Sequence, residues 1–203
     1  MFNTNFLYYH EILPNSVIDR ITNNLIKLDI EKDFKDGGVS RPPELPQKNV
    51  YKERRDCKIS WISYDENNLY STEIFNILWN SCTYLNMLTN WNFDIRFLED
   101  IQYTYYEIGG RYDWHTDAIP FQEGSCRKIS MVLLLENECE GGEFQIETKI
   151  PFPDNQEGCR YETIPLQKGS LVVFHSDIPH RVTELKSGNR KTLVAWANGP
   201  SFK

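Results

Sequence analysis

The 203-residue chain carries 22 Lys and Arg against 29 Asp and Glu, for a formal net charge of −7, with 40% apolar and 25% charged residues. That balance is ordinary for a globular protein and argues against nucleic-acid backbone or anionic membrane as the main partner, since both need clustered positive charge. No run of about 18 apolar residues and no basic-then-apolar leader occur, so neither a transmembrane helix nor a signal peptide is expected, and a cytoplasmic location is.

One domain over 1–203 is expected, with a helical N-terminal part (1–92) and a β-rich core (93–203). Residues 11–29 read as a capped helix. Pro14, Asn15 and Ser16 supply the start, and Val17, Ile18, Ile21, Leu25, Ile26 and Leu28 recur at helical spacing. His10, just before it, reads as a surface residue. The Gly-, Pro- and charge-rich stretch 36–56 is a loop long enough to act as a lid. KISWIS (58–63) reads as a strand, and 70–89 as a second helix with Ile74, Leu78, Cys82 and Leu85 on one stripe.

From Phe93 onward the character changes. Short alternating or apolar runs follow one another between turn residues: FDIRFLEDIQYTYYEI, KISMVLLL, EFQIET, RYETIPL, SLVVFH, RVTEL and KTLVAWA. Such a series behind two helices predicts a mainly β fold with a helical buttress, a sandwich or jelly roll whose open mouth can hold inward-facing polar residues. The five cysteines are odd in number and form no Cys-x-x-Cys pair, so they read as free thiols in a reducing compartment.

The chemistry gathers in the β-rich half. In YDWHTD, His115 and Asp117 stand two apart, and in a strand such residues share a face. His180 opens a later strand, and Arg190 follows ten residues on. Two imidazoles and one carboxylate form a facial triad that suits Fe(II), because three coordination positions stay open. A structural zinc site would close with a further His or Cys, and none is obviously placed. His175 competes with His180. His180 is preferred for its place before RVTEL and its spacing to Arg190, which leaves His175 as a strand-end residue.

These motifs together resemble the Fe(II)/2-oxoglutarate dioxygenases of the prolyl 4-hydroxylase type. The resemblance rests on Tyr106-x-x-Gly109-x-x-Tyr112-x-x-His115-x-Asp117, on ECEGGEF (138–144), and on KGSLVVFHSDIPHRV with GNRKTLVAW. It runs from about Ile95 to Ala197. It implies a double-stranded β-helix (jelly-roll) core and His115, Asp117 and His180 as iron ligands. Arg190 would pair with the distal carboxylate of 2-oxoglutarate, with Tyr106 and Trp196 beside it. Tyr112 and Arg127 would contact a peptide substrate. The implied cofactors are Fe(II), 2-oxoglutarate, O2 and ascorbate, the implied partner a proline-containing peptide or protein, and the products of the co-substrate succinate and CO2. A carboxylate at 117, rather than alanine or glycine, favours hydroxylation over halogenation.

Two departures stand out: Phe144 where some relatives carry threonine, and His175 where proline is frequent. Plainer readings stay open. Tyr112 and Trp114 are also ordinary strand aromatics, Trp196 is also core, Arg127 is also an exposed charge beside a strand, and Gly141-Gly142 is first of all a turn. At the level of function, the rivals are hydroxylation of a free amino acid or other small molecule, a metal enzyme that does not use 2-oxoglutarate, and a non-catalytic jelly-roll binding protein.

Overall fold

A computed structural model describes residues 8–37, 54–118, 120–122, 124–148 and 161–201. Most of the 36–56 loop, most of the segment 150–162 and Cys159 lie outside the described residues.

The first element is a strand the sequence reading did not separate, β1 (Tyr8–Ile12). Helix α1 (Asn15–Lys27) follows directly after Pro14, whose fixed φ of −57° suits a helix start. It buries Ile18, Ile21 and Leu25 as its spacing requires, but Ile26 is 68% exposed. Helix α2 (Leu69–Leu88) is capped by the Asn68 side chain, which accepts from the backbone N–H of Tyr70 at 3.0 Å. Its Ile74, Leu78, Cys82 and Leu85 are all buried. The two helices are joined by a polar clasp, in which Glu73 accepts from Arg20 and, at 2.7 Å, from Asn24.

The remaining strands are β2 (Lys35–Asp36), β3 (Arg55–Asp56), β4 (Lys58–Ile62), β5 (Phe97–Leu98), β6 (Ile101–Tyr106), β7 (Arg111–His115), β8 (Pro120–Gln122), β9 (Ser125–Gly141), β10 (Phe144–Glu147), β11 (Tyr161–Ile164), β12 (Ser170–His175), β13 (His180–Val182) and β14 (Leu185–Pro200). They build two antiparallel sheets. The larger runs β1-β12-β9-β14-β6-β4-β2, with β5 and β8 attached at its margins, and the smaller runs β11-β10-β13-β7-β3. The jelly roll expected from the sequence is present. The part before residue 93 is more than a buttress, since β1 pairs with β12, β4 with β6, and β3 with β7.

Strand alternation separates two cores. On β9, Ile129, Met131, Leu133 and Leu135 face the helices, and so do Leu193, Ala195 and Ala197 of β14. Val132, Val172, Phe174 and Phe144 turn the other way and fill the space between the sheets. The functional residues lie on that second face. The strands β3 and β4 belong to different sheets yet are joined through Cys57 alone.

Candidate active site

Arg190, Thr192, Val194 and Trp196 alternate with the helix-facing residues of β14, so all four point between the sheets. Across the ladder Arg190 pairs with Tyr106 of β6, and its guanidinium lies 5.6 Å from the centre of the Tyr106 ring. From the opposite sheet, His180 of β13 pairs directly with His115 of β7. Asp117 does not lie in a strand. The strand β7 ends at His115, and Asp117 is held instead by its backbone N–H, which donates to Ser176 O at 2.8 Å. Its convergence with His115 comes from this anchoring to the turn after β12, not from strand alternation.

The donor atoms of His115, Asp117 and His180 all lie within 4.8 Å of one another. Asp117 Oδ1 is 3.7 Å from His115 Nε2, and Asp117 Oδ2 is 3.5 Å from His180 Nε2. The tautomers follow from the backbone. His115 Nδ1 lies 2.8 Å from the Asp113 carbonyl and His180 Nδ1 2.9 Å from the Ile178 carbonyl. A carbonyl only accepts, so each Nδ1 carries the proton and each Nε2 presents a lone pair to the cluster centre. Burial, and then the neighbouring His180, push the His115 imidazole down to about 3. Burial opposes the charge on Asp117, yet the neighbouring His180 and His115 hold its carboxyl below the usual range. A neutral imidazole beside an ionised carboxylate is what a divalent ion requires of its ligands.

Arg190 supplies a second, independent fit. It is 1% exposed, and its Nη2 has no hydrogen-bond partner among the described residues. A buried guanidinium with an orphaned donor is costly unless an anion comes to it, and a carboxylate matches its planar fork. The residues present therefore fit both ferrous iron and a dicarboxylate co-substrate.

All eight residues singled out from the sequence line one cavity of about 380 Å³: His115, Asp117, His180, Arg190, Tyr106, Trp196, Tyr112 and Arg127. Burial pushes the Tyr106 phenol up, so it stays protonated. Tyr112 stacks on His115 with ring centres 3.5 Å apart and carries the Arg55 guanidinium at 4.5 Å on its ring. Arg127 is no exposed strand charge. Its Nε and Nη2 donate to Glu99 at 2.7 and 2.6 Å, and its guanidinium lies 3.9 Å from the Trp196 ring centre. His175 takes no part in the cluster. It packs edge-on against Trp91 and Phe93 at the end of β12. His10 is half-buried in β1 rather than at the surface, and its Nε2 has no partner among the described residues.

The sequence reading missed Arg55, Trp61, Gln102 and Thr192 as cavity residues. Thr192 was within reach, since alternation from Arg190 to Trp196 passes through it. Arg55 and Trp61 needed the pairing of β3 and β4 with the core.

Gly141-Gly142 is a crossing between sheets rather than a simple reversal. At this point the chain leaves β9 for β10, alongside Thr183–Glu184, which leads from β13 back to β14. The two crossings are stitched by Glu143 N–H to Thr183 Oγ1 at 2.9 Å and Thr183 N–H to Glu143 O at 3.0 Å. Gly141 has φ +75°, and a Cβ there would lie 2.2 Å from the Glu184 carbonyl oxygen. Gly141→Ala is therefore expected to destabilise the protein by roughly 2 kcal/mol or more, read as a lowered midpoint in denaturant unfolding.

A larger cleft of about 780 Å³ lies on the helix side of the larger sheet, where Lys191 bridges Glu31 and Glu136. It holds no metal-ligating cluster among the described residues. No helix among them is long and apolar enough to cross a membrane.

Residues 101–198 match the 2OG-Fe(II) oxygenase superfamily. A PKHD-type hydroxylase of Hyphomonas neptunium is 32% identical over 93 residues, which is 43% of this chain and 38% of the relative, so the match spans little more than a third of that protein. Among solved structures, a Pseudomonas putida prolyl-4-hydroxylase superposes with a TM-score of 0.68 at 18% identity, covering 94% of this chain and 91% of that one. A Trichoplax adhaerens prolyl hydroxylase in complex with a hypoxia inducible factor peptide fragment gives 0.67 at 18% identity, covering 94% and 82%. The family match begins at the first residue of β6 and ends in β14, so the stretch of the chain that is similar to the 2OG-Fe(II) oxygenases encloses the three-residue cluster and the buried Arg190 guanidinium, and the solved prolyl hydroxylases share its fold.

Proposed function

We propose that this protein is an Fe(II)- and 2-oxoglutarate-dependent hydroxylase acting on peptidyl proline. The observation that carries the reading is the buried Arg190 guanidinium, whose Nη2 has no partner among the described residues, in the same cavity as the His115–Asp117–His180 cluster. His115, Asp117 and His180 would hold the iron. Arg190 would hold the distal carboxylate of 2-oxoglutarate, with the protonated Tyr106 phenol beside it. With both bound, the group would supply an oxidant derived from O2 that hydroxylates a nearby C–H bond, with 2-oxoglutarate converted to succinate and CO2.

The chain's own contribution is placement and shielding. Phe144 and Val132 line the interior side of the cavity, with Phe174 packed behind Phe144. Phe144, which replaces the threonine of some relatives, packs 5.7 Å from the His180 ring, so recognition of the distal carboxylate falls to Arg190 and Tyr106. A substrate arriving in the cavity meets Tyr112 beside His115, and Arg127 on Trp196, set in place by Glu99. Trp61, 45% exposed, also lines it. Aromatic faces with fixed cations suit a proline ring held within an extended peptide.

The test is release of succinate from 2-oxoglutarate with Fe(II), ascorbate and O2, in parallel with proline-containing peptides and free proline. Turnover stimulated by a peptide that gains the mass of one oxygen is the expected result. Stimulation by free proline alone would move the reading to a small-molecule hydroxylase. No succinate under any condition would overturn the oxygenase reading.

A further inference from the structure

The aromatic rings of the cavity are covered to different degrees. Tyr112 lies flat on His115 at 3.5 Å and carries the Arg55 guanidinium at 4.5 Å. Trp196 carries Arg127 at 3.9 Å, and Phe144 packs against Phe174 and His180. Trp61 differs. Among the described residues no cation lies on its indole, and its one ring contact is Trp196, at 6.1 Å and a tilt of 38°. It is 45% exposed, although it stands on the inward face of the larger sheet.

Trp61 is also the only residue shared by the cavity and a second concavity of about 480 Å³, lined among the described residues by Trp61, Phe97, Leu98, Glu99 and Asp100. The strand β5 brings Phe97 and Leu98 there, pinned to β14 with Asn198 opposite Phe97 and Ala197 opposite Leu98. The Glu99 N–H adds a bond to the Trp196 carbonyl at 3.1 Å. Both carboxylates of this groove already receive donors. Glu99 accepts from Arg127 and Asn198, and Asp100 accepts from Ser63 at 2.7 Å. What the groove offers a ligand is therefore apolar surface, with Phe97 36% exposed. Two exposed aromatic side chains in one concavity, continuous with a reactive cavity, mark a place for another apolar group.

We propose that this groove is a substrate subsite that takes an apolar side chain two residues from the target proline, with the Trp61 indole standing as a ridge between the two. The spacing carries it. Groups packed on opposite sides of one aromatic ring stand about 7 Å apart, twice a carbon–carbon contact of about 3.5 Å. Side chains two apart in an extended chain point the same way at about 6.6 Å, and the residue before a proline is held extended. A peptide crossing the mouth thus drops its proline into the cavity and its next same-facing side chain into the groove. Residues directly beside the proline point away. The inference rests on reading the substrate as a peptidyl proline and adds a spaced apolar residue to it.

The test uses the full chain loaded with 2-oxoglutarate and with Co(II) in place of iron, so that no turnover occurs. The probes are acetyl-Ala-Ala-Pro-Ala-Ala-amide and its four variants with leucine at each alanine position in turn. Affinity is measured by calorimetry. Leucine two positions from the proline, on one side, is expected to tighten binding about tenfold, and leucine next to the proline to leave it unchanged. Trp61→Ala is expected to abolish that gain. Phe97→Ser, outside the cavity, is expected to remove most of it. The 2-oxoglutarate dissociation constant should stay at the wild-type value in both, which separates a lost subsite from a disordered cavity. Should Trp61→Ala not fold, Phe97→Ser decides. A gain that persists in these variants, or one of equal size at all four positions, would overturn the proposal and leave the hydroxylase reading in place. A wild-type protein that binds none of the peptides would overturn the peptidyl-proline reading and this proposal with it.

Discussion

Replacing Arg190 with alanine is expected to raise the dissociation constant for 2-oxoglutarate by about thirtyfold to a few thousandfold while leaving Co(II) binding at the three-residue cluster nearly intact. The magnitude follows from removing one member of a buried, charge-assisted pair, a loss of roughly 2–5 kcal/mol at about 1.4 kcal/mol per decade. A second, less obvious outcome follows from the same atom. The guanidinium is 1% exposed and its Nη2 has no hydrogen-bond partner among the described residues, so its charge is costly to bury unless an anion joins it. Arg190→Met, which keeps the bulk and removes the charge, is expected to melt higher than the wild type when both are free of ligand. A gain of about 1–4 kcal/mol corresponds to several degrees in a chain of this size. Added 2-oxoglutarate should raise the melting temperature of the wild type and leave that of the variant unmoved. Ligand-induced stabilisation persisting in Arg190→Met would show that the co-substrate binds elsewhere.

Asp117→Ala is expected to weaken metal binding further than any change among the supporting residues. Loss of a supporting residue typically costs ten- to a hundredfold in metal affinity, and loss of a ligand carrying the negative charge of the cluster exceeds about a hundredfold. Turnover should disappear with it. The fold should not, because Asp117 is a buried carboxylate outside the sheet ladders, and removing it relieves a desolvated charge. Calorimetric titration with Co(II), alongside a thermal melt, separates the two effects. Tight binding by a folded Asp117→Ala would remove that residue from the ligand set. Asp117→Asn, which keeps the shape and one oxygen but not the charge, is expected to fall between the wild type and alanine.

The residues that carry chemistry were legible in the sequence because each stands at a fixed distance from its partners along the chain. His115 to Asp117 and His180 to Arg190 survive as spacings whatever the strands around them do. The reason first given for the former pair was nonetheless wrong in detail. Strand geometry ends at His115, and the convergence depends on a hydrogen bond to Ser176 some sixty residues away, which no local pattern encodes. Helix stripes were readable for the usual reason: a 3.6-residue period persists over several turns. The short strands β2 and β3 were not, because two residues give too few alternations to distinguish from a loop. Arg127 illustrates a different limit. Its position matched a substrate contact, but its engagement by Glu99 and Trp196 could not be inferred, since Glu99 lies 28 residues earlier in a stretch with no motif of its own.

The single residue between β3 and β4 has a mechanical consequence. The chain passes from the smaller sheet to the larger through Cys57 alone, next to Arg55 and Ile59 on the cavity wall. One residue spans at most about 3.6 Å, so the two layers are hemmed together along that side. With the stitched crossings at Gly141-Gly142 and Thr183–Glu184, this hem ties the two layers at more than one place, so the width of the chamber is set by the backbone rather than by the side chains that fill it.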